Sequence, residues 1–189
     1  MCLRGLAGCF GAILFACDTL RYSVQTLSNP CPCGNYGSRT RQCRCTPLDI
    51  RRYLSRISGP LLDRIDMHIE VESIPPEKLA EAPQGEPSSA IRERVERARS
   101  LQRQRYAGEK IACNARLGPG TIDKYCPLTA RSRAIMNAAS EKMGLSNRAY
   151  TRVIKVARTI ADLAGSPEID TPHVSEALQY RMIDAKYWG

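Results

Sequence analysis

The sequence predicts the tail of an α/β unit, then a linker, then a small all-α bundle, with helix predominating. The α/β part is predicted by residues 67–71, where apolar and polar side chains alternate as in a half-buried strand. The linker is predicted by residues 74–87, which are rich in proline and glutamate and mark a domain boundary. The bundle is predicted by apolar residues that recur at helical spacing from Ser88 onward.

Size and charge are compatible with one or two soluble domains and with a phosphate-bearing partner. The chain has 189 residues and a formal net charge of +9. The excess lies in residues 39–64, with seven arginines against two aspartates, and in residues 88–110, with six arginines and one lysine against three glutamates. Concentrated arginine suits the phosphates of a nucleotide or a nucleic acid, or else forms a solvated basic face. No stretch reaches the roughly 20 apolar residues of a membrane span.

The first 28 residues are apolar and carry cysteines, without clear periodicity. Residues 5–17 resemble a short signal-peptide core, but a buried strand or an unrelated appendage is the favoured interpretation. Residues 21–27 are predicted to form a strand. Because the signal-peptide interpretation is not favoured, we expect a cytoplasmic protein.

Residues 29–47 form a predicted loop that contains two closely spaced cysteine pairs, Cys31 with Cys33 and Cys43 with Cys45. Four thiolates in a loop suit a tetrahedral structural Zn²⁺, and arginines of the loop would offset the site's negative charge. One intervening residue is fewer than zinc pairs usually have, so four reduced cysteines packed around a turn remain the alternative. Nine cysteines, an odd number, argue against a disulfide framework.

The remaining elements are predicted to be helices. Residues 48–57 form one, capped by Thr46 with Pro47 at its first position. A short helical turn covers residues 60–64. The bundle itself has four longer predicted helices: residues 88–106, residues 128–143 ended by Gly144, residues 146–164 capped by Ser146, and residues 171–185.

Several runs resemble one family. The chain is similar to the magnesium-chelatase-like AAA+ ATPases of the competence-associated branch, and the resemblance covers residues 29–189. It rests on these runs: Asn29-Pro-Cys-Pro-Cys-Gly34, Cys43-Arg-Cys-Thr-Pro47, residues 53–66, residues 148–163, Glu176-Ala-Leu-Gln-Tyr-Arg181 and Lys186-Tyr-Trp-Gly189.

This resemblance implies a domain plan and an activity. Residues 29–73 would be the C-terminal part of the AAA+ core, residues 74–87 the linker and residues 88–189 the helical lid, while residues 1–28 fit the family poorly. Relatives are expected to form homo-oligomeric rings that use ATP and Mg²⁺ to remodel DNA in transformation or recombination. The G-x-x-x-x-G-K-[ST] loop and the acidic magnesium-binding strand are absent from the printed sequence, which suggests a truncated or frame-shifted reading. The chain alone is expected to be inactive and not to hold ATP and Mg²⁺ by itself.

The resemblance also assigns two catalytic residues. Asn29 matches the first sensor, whose amide orients the attacking water. Arg64 matches the arginine finger that reaches a neighbouring subunit's nucleotide, and Arg56 is a weaker alternative for that role. The simpler readings are a turn-forming Asn before Pro for Asn29, and a salt bridge to Asp63 or Asp66 for Arg64.

Arg148 matches the second sensor of the lid, and Arg152 is a second candidate for binding the nucleotide. Both lie in the first two turns of a predicted helix, where the macrodipole disfavours cations unless an anion binds. An exposed basic stripe that also includes Lys155 is the simpler reading. Arg148 is favoured over Arg152.

Two other functions stay open. The cysteine pairs and basic segments also fit a non-catalytic, zinc-stabilised nucleic-acid-binding module. Insertion of magnesium into a porphyrin fits less well, because the cysteine pairs and the terminal Tyr-Trp-Gly resemble the competence-associated branch.

Overall fold

The computed structural model describes residues 10–18, 21–71, 74, 77 and 85–188. It divides into two compact units. Among the described residues, the first unit comprises those up to Ser58 together with Val71, Ile74, Glu77 and Trp188. The second combines Gly59–Glu70 with the helices from Ser88 onward. The predicted linker, residues 74–87, lies largely outside the described residues, so the predicted domain boundaries stay predictions.

The first unit begins with an antiparallel hairpin. Strand β1, Phe10–Asp18, pairs with strand β2, Arg21–Ser28. Residues 21–27 therefore form the strand that the sequence predicts. This hairpin is the whole of the sheet in the described part of the chain, so the predicted tail of an AAA+ α/β core stays a prediction.

Helix α1, Pro47–Leu54, follows the cysteine loop and starts as predicted. The Thr46 hydroxyl accepts the Asp49 backbone N–H, and the Asp49 carboxylate accepts the Thr46 N–H, which together make a capping box. The helix ends three residues earlier than predicted. The Trp188 indole donates to the carbonyl of Leu54 at 3.1 Å, where that carbonyl is exposed by the end of the helix.

The second unit is helical, as predicted. Its elements are α2 (Gly59–Leu62), α3 (Ser88–Arg105), a 3₁₀ turn (Asn114–Arg116), α4 (Pro119–Tyr125), α5 (Ala130–Met143), α6 (Asn147–Leu163), α7 (Thr171–Gln179) and α8 (Met182–Tyr187). Thr129 and Ser146 cap α5 and α6 with their hydroxyls. Gly144 ends α5 in the left-handed region at φ 60°, as the sequence predicts. None of the helices in the described ranges has the length and apolar character to cross a membrane.

Helix α6 is the centre of the core. Val153, Ala157 and Ala161 form one fully buried face, against which α7 packs through Val174. Met136 of α5 is also completely buried in this cluster. The spacing of four between the three α6 residues places them on one side of the helix.

A buried carboxylate joins α6 to α3. The Asp162 side chain is fully buried and accepts two hydrogen bonds from Arg105, at 2.9 and 2.5 Å. Arg158 Nε donates to it at 3.1 Å and Asn114 Nδ2 at 2.8 Å. The pKa of Arg105 is raised mainly by its hydrogen bonds to Asp162. A buried charge is tolerated here because every partner position is filled.

Two predicted elements are wrong. Residues 67–71 do not form a strand: they are extended, and Met67 and Ile69 are 46% and 66% exposed. Their backbone hydrogen bond is donated by the N–H of His68 to the carbonyl of Tyr180 at 2.9 Å, and the described residues supply no partner strand. Alternation predicts which side chains share a face, but a strand also requires a ladder.

The predicted helix over residues 171–185 is in fact two helices. It breaks at Tyr180 and Arg181. The Arg181 side chain is 1% exposed and donates to the carbonyls of Leu62, at 3.1 Å, and Ile65, at 2.5 Å. These long-range bonds stabilise the break, and no local pattern reveals them.

Candidate nucleotide and metal sites

The four predicted metal ligands of the first unit lie together. The Sγ atoms of Cys31 and Cys33 are 3.4 Å apart, those of Cys31 and Cys43 3.7 Å, and those of Cys33 and Cys43 3.6 Å. Cys45 completes a group in which all four sulfur atoms lie within 4.8 Å of one another. A tetrahedral zinc with Zn–S bonds of about 2.3 Å requires sulfur atoms about 3.8 Å apart. The donor set therefore fits a tetrahedral ion.

The loop geometry follows from its glycines. Gly34 and Gly37 have φ of 77° and 79°, a region that residues with a Cβ rarely adopt. The N–H of Gly34 returns to the carbonyl of Cys31 at 3.0 Å, and the N–H of Tyr36 donates to the Cys31 sulfur at 3.3 Å. Cys31 is fully buried by this turn. A backbone donor to sulfur orients a thiolate ligand and stabilises its charge.

The thiols do not ionise independently. Backbone N–H groups of Arg44 and Asn35 lower the pKa of Cys33 to about 6. The pKa of Cys45 is raised to about 12: a backbone hydrogen bond from Cys33 lowers it, but desolvation and the neighbouring thiols outweigh that effect. Several thiolates this close repel one another unless a cation lies between them.

Asn29 directly follows β2, at a strand end as predicted. Its side chain is exposed, and its amide makes no hydrogen bond to the described residues. It lies over the cysteine turn, because a Cβ built on Gly34 would be 3.8 Å from the Asn29 amide oxygen. The amide is thus accessible to a ligand.

Arg64 follows α2 and is exposed. Within the described ranges it makes no ion pair, although carboxylates flank it on both sides. Asp63 instead accepts the Ser146 hydroxyl at 2.7 Å, and Asp66 pairs with Arg152. The simpler reading of Arg64, a salt bridge to Asp63 or Asp66, is not the arrangement observed.

Arg148 is the second residue of α6 and is also exposed. It has no carboxylate or hydrogen-bond partner among the residues that the structure describes. Arg152, one turn later, is half-buried and paired with Asp66. Asp63 and Asp66 therefore place negative charge at the start of α6. Neither of these carboxylates pairs with Arg148.

Lys155 differs from both arginines. Its amine donates to the carbonyl of Ala115 at 3.3 Å, and burial, followed by the charge of Arg152, lowers its pKa. The three basic residues of α6 therefore have three different environments, which a uniform solvated stripe would not produce.

Sequence reasoning missed the contacts that join residues 63–66, which we call the Arg64 loop, to the start of α6. Ser146 and Asp63 are separated by 83 positions, and Arg152 and Asp66 by 86. Such pairs leave no local pattern. The sequence identifies Ser146 only as a helix cap, and Arg152 only as a candidate nucleotide ligand or a member of an exposed basic stripe.

Fold and sites together define a predominantly helical domain preceded by a four-cysteine loop. Residues 17–79 match the family profile described as "Magnesium chelatase, subunit ChlI", and residues 85–181 match "Magnesium chelatase, subunit ChlI C-terminal". The chain belongs to this magnesium-chelatase-like family, which confirms the resemblance found in the sequence. The first match begins at residue 17, within the segment predicted to fit the family poorly.

Curated relatives agree. The chain is 42% identical to the "Competence protein ComM" of Haemophilus influenzae over 162 residues, which are 85% of this chain and 31% of that protein. It is 40% identical over 165 residues to the "Uncharacterized protein YifB" of Salmonella typhimurium, and 39% to that of Escherichia coli, covering 87% of this chain and 31% of each relative. The chain thus spans about a third of the length of the curated relatives it matches.

Proposed function

We propose that the chain is the C-terminal part of an AAA+ ATPase, in which it supplies two sensor residues, an arginine finger and the lid over Mg²⁺-bound ATP. The observation that carries this proposal is Arg148, an exposed guanidinium with no partner among the described residues, at the start of a well-capped helix. A guanidinium presents paired N–H donors that match phosphate oxygens.

The position of Arg148 favours an anionic ligand. The first backbone N–H groups of α6 point out of the helix, and the macrodipole gives this end partial positive charge. A further cation here is unfavourable until an anion binds. Asp66 neutralises Arg152, which leaves Arg148 for an anion from outside the described residues. Arg152 is the weaker nucleotide candidate for the same reason.

Arg64 and Asn29 have distinct proposed roles. Arg64 would reach the nucleotide of a neighbouring subunit and stabilise charge on the transferred phosphoryl group, worth roughly 10³ to 10⁵ in rate in other phosphoryl-transfer systems. Asn29 would orient the attacking water through its accessible amide. The role of Arg64 requires a homo-oligomeric ring, in which one subunit's finger completes the next subunit's site.

We propose that the ATP hydrolysis of the full-length protein is coupled to remodelling of DNA. One relative is named a competence protein, and DNA remodelling in transformation or recombination is consistent with that name. The printed sequence has no G-x-x-x-x-G-K-[ST] run, so we expect the chain by itself not to turn over ATP.

Nucleotide contact can be tested on this chain by NMR titration with Mg²⁺-ATP. Because the sequence lacks the phosphate-binding loop, we expect only weak contact in the millimolar range, with shifts in the first turn of α6 that Arg148→Gln removes. Arg131 is a matched control, because it is exposed and is the second residue of the capped helix α5. Arg131→Gln should leave the shifts unchanged. Equal loss in both variants, or no shifts at millimolar ATP, would contradict the role of Arg148.

We also propose that Cys31, Cys33, Cys43 and Cys45 hold a structural Zn²⁺. The support is the set of sulfur distances, which fit a tetrahedral ion. Bound zinc would fix the cysteine turn over which Asn29 lies. Metal analysis of the purified chain should give one zinc per chain, lost in Cys33→Ser and kept in Cys113→Ser. Equal zinc content in the two variants would rule out this site.

The alternative is a zinc-stabilised nucleic-acid-binding module without catalysis. Exposed Arg39, Arg41 and Arg44 in the cysteine loop favour it. DNA binding by this chain should then weaken steeply with salt, and Arg41→Gln with Arg44→Gln should reduce the salt slope. An absence of binding at low salt would remove this alternative.

A further inference from the structure

We propose that Ser146 and Arg152 are positioning residues for Arg64. By occupying Asp63 and Asp66 they keep the Arg64 guanidinium unpaired, and they fix its loop to the helix that carries Arg148. The functional part of this inference rests on the proposed role of Arg64 as an arginine finger. The structural part, that these contacts keep Arg64 unpaired, can be tested separately.

The backbone around Arg64 is held firmly. Beyond α2, Asp63 and Arg64 donate their N–H groups to Gly59 and Leu61 at 2.9 and 3.0 Å, which continues the helical turn. Arg181, buried beneath this turn, donates to the carbonyls of Leu62 and Ile65. The backbone thus presents Arg64 outward from a fixed turn.

The side chains explain why Arg64 stays unpaired. A carboxylate one or two residues away is an arginine's nearest ion-pair partner, and charge-assisted hydrogen bonds are the stronger ones. Asp63 accepts the Ser146 hydroxyl instead, and Asp66 accepts Arg152. One flanking carboxylate is therefore occupied by the cap of α6 and the other by a residue of α6. The N–H donors of Arg64 stay available for another acceptor.

The same contacts couple the two arginines. Ser146 precedes Arg148 by two residues, and Arg152 follows it by one turn, so both donors come from the segment that presents Arg148. A shift of the start of α6 would be transmitted to the Arg64 loop. In a ring, occupancy of a subunit's own nucleotide site would thereby influence the finger offered to its neighbour.

The test measures hydrogen exchange of the Arg64 Nε–H in this chain by ¹⁵N NMR, with the signal assigned by its loss in Arg64→Lys. We expect fast exchange in the wild type. Arg152→Gln frees Asp66 to pair with Arg64, which should slow exchange about two- to fivefold, as a surface ion pair of up to about 1 kcal/mol allows. Arg152→Gln combined with Asp66→Asn should restore fast exchange, and Arg152→Lys should remain like the wild type. Arg131→Gln is the matched control.

Two results would overturn the proposal: slow Arg64 exchange in the wild type, or unchanged exchange in a folded Arg152→Gln variant. A separate measurement addresses the finger itself, by replacing the counterpart of Arg64 in full-length ComM and assaying ATP hydrolysis. If that activity is unaffected while the NMR results are as expected, the finger role fails and the positioning contacts stand. If the NMR results fail, the positioning role fails regardless of the ATPase result.

Discussion

The Ser146 hydroxyl donates a hydrogen bond to the carboxylate of Asp63 at 2.7 Å, across 83 positions of sequence. The same oxygen accepts the N–H of Ala149 at 3.2 Å and so begins α6. One small side chain therefore both caps the helix that carries Arg148 and contacts the loop that carries Arg64. A cap residue of this kind cannot be replaced without disturbing two candidate site elements together.

Replacing the buried carboxylate should be severely destabilising. Asp162→Asn leaves Arg105 and Arg158 without their anionic partner in the core, which we expect to lower the free energy of unfolding by about 3–5 kcal/mol. Urea denaturation monitored by circular dichroism measures this. Asp123→Asn, at an exposed position of α4, should change the stability little. Similar effects of the two substitutions would contradict the account of the Asp162 network.

Acid should weaken the contact between Glu70 and α8. Lys186 and Tyr187 donate to the Glu70 carboxylate, and their hydrogen bonds lower its pKa below the ordinary value of 4.5. A lowered pKa means that the stabilisation is fully present above pH 4.5 and is lost as pH falls through the folded-state pKa. The Tm difference between the wild type and Glu70→Gln should therefore shrink to nothing in acid. Glu168→Gln, at another exposed carboxylate, should show no such pH-dependent difference.

Zinc should protect the cysteine loop from trypsin. Arg39, Arg41 and Arg44 are exposed within this loop. A zinc ion bound by the four cysteine thiolates would hold the backbone around these arginines rigid. We expect slow cleavage at these residues with zinc and rapid cleavage after chelation, followed by mass spectrometry. Cys33→Ser should be cleaved rapidly in both conditions. An identical cleavage rate with and without metal would argue against a structural ion.

Adding a methyl group should have opposite effects at two glycines. Gly144 ends α5 at φ 60°, so Gly144→Ala forces a left-handed alanine and should cost about 1 kcal/mol. Gly120 lies within α4 and is not among the positive-φ glycines, with nothing within 4 Å of an added Cβ. Gly120→Ala should therefore stabilise the protein by about 0.4–1 kcal/mol. Thermal unfolding of the two variants would show shifts of opposite sign.

The features that were predicted correctly have local causes. The Thr46 cap with Pro47, the Ser146 cap and the Gly144 stop each depend on residues within one helical turn, so their sequence patterns are sufficient. The four cysteines were predicted to converge because they are near in sequence and separated by glycine-bearing turns. The family was recognisable because its motifs are long and contiguous.

The features that were missed depend on distant partners. Residues 67–71 alternate as a strand does, yet the described residues provide only the Tyr180 carbonyl as a backbone partner. The break at Arg181 depends on two carbonyls more than 100 residues earlier in the chain. The environment of Arg152 depends on Asp66, 86 positions away. Helical spacing carries no information about such contacts.

Arg158 and Arg181 are each only 1% exposed and donate to main-chain carbonyls. A lysine ammonium cannot reproduce the planar set of N–H donors of a guanidinium. Selection for the architecture alone would therefore keep both arginines invariant among relatives. An alignment ranked by invariance would therefore nominate these two guanidinium groups ahead of Arg64 and Arg148. Solvent exposure, considered together with invariance, separates the arginines that hold the scaffold from those available to a ligand.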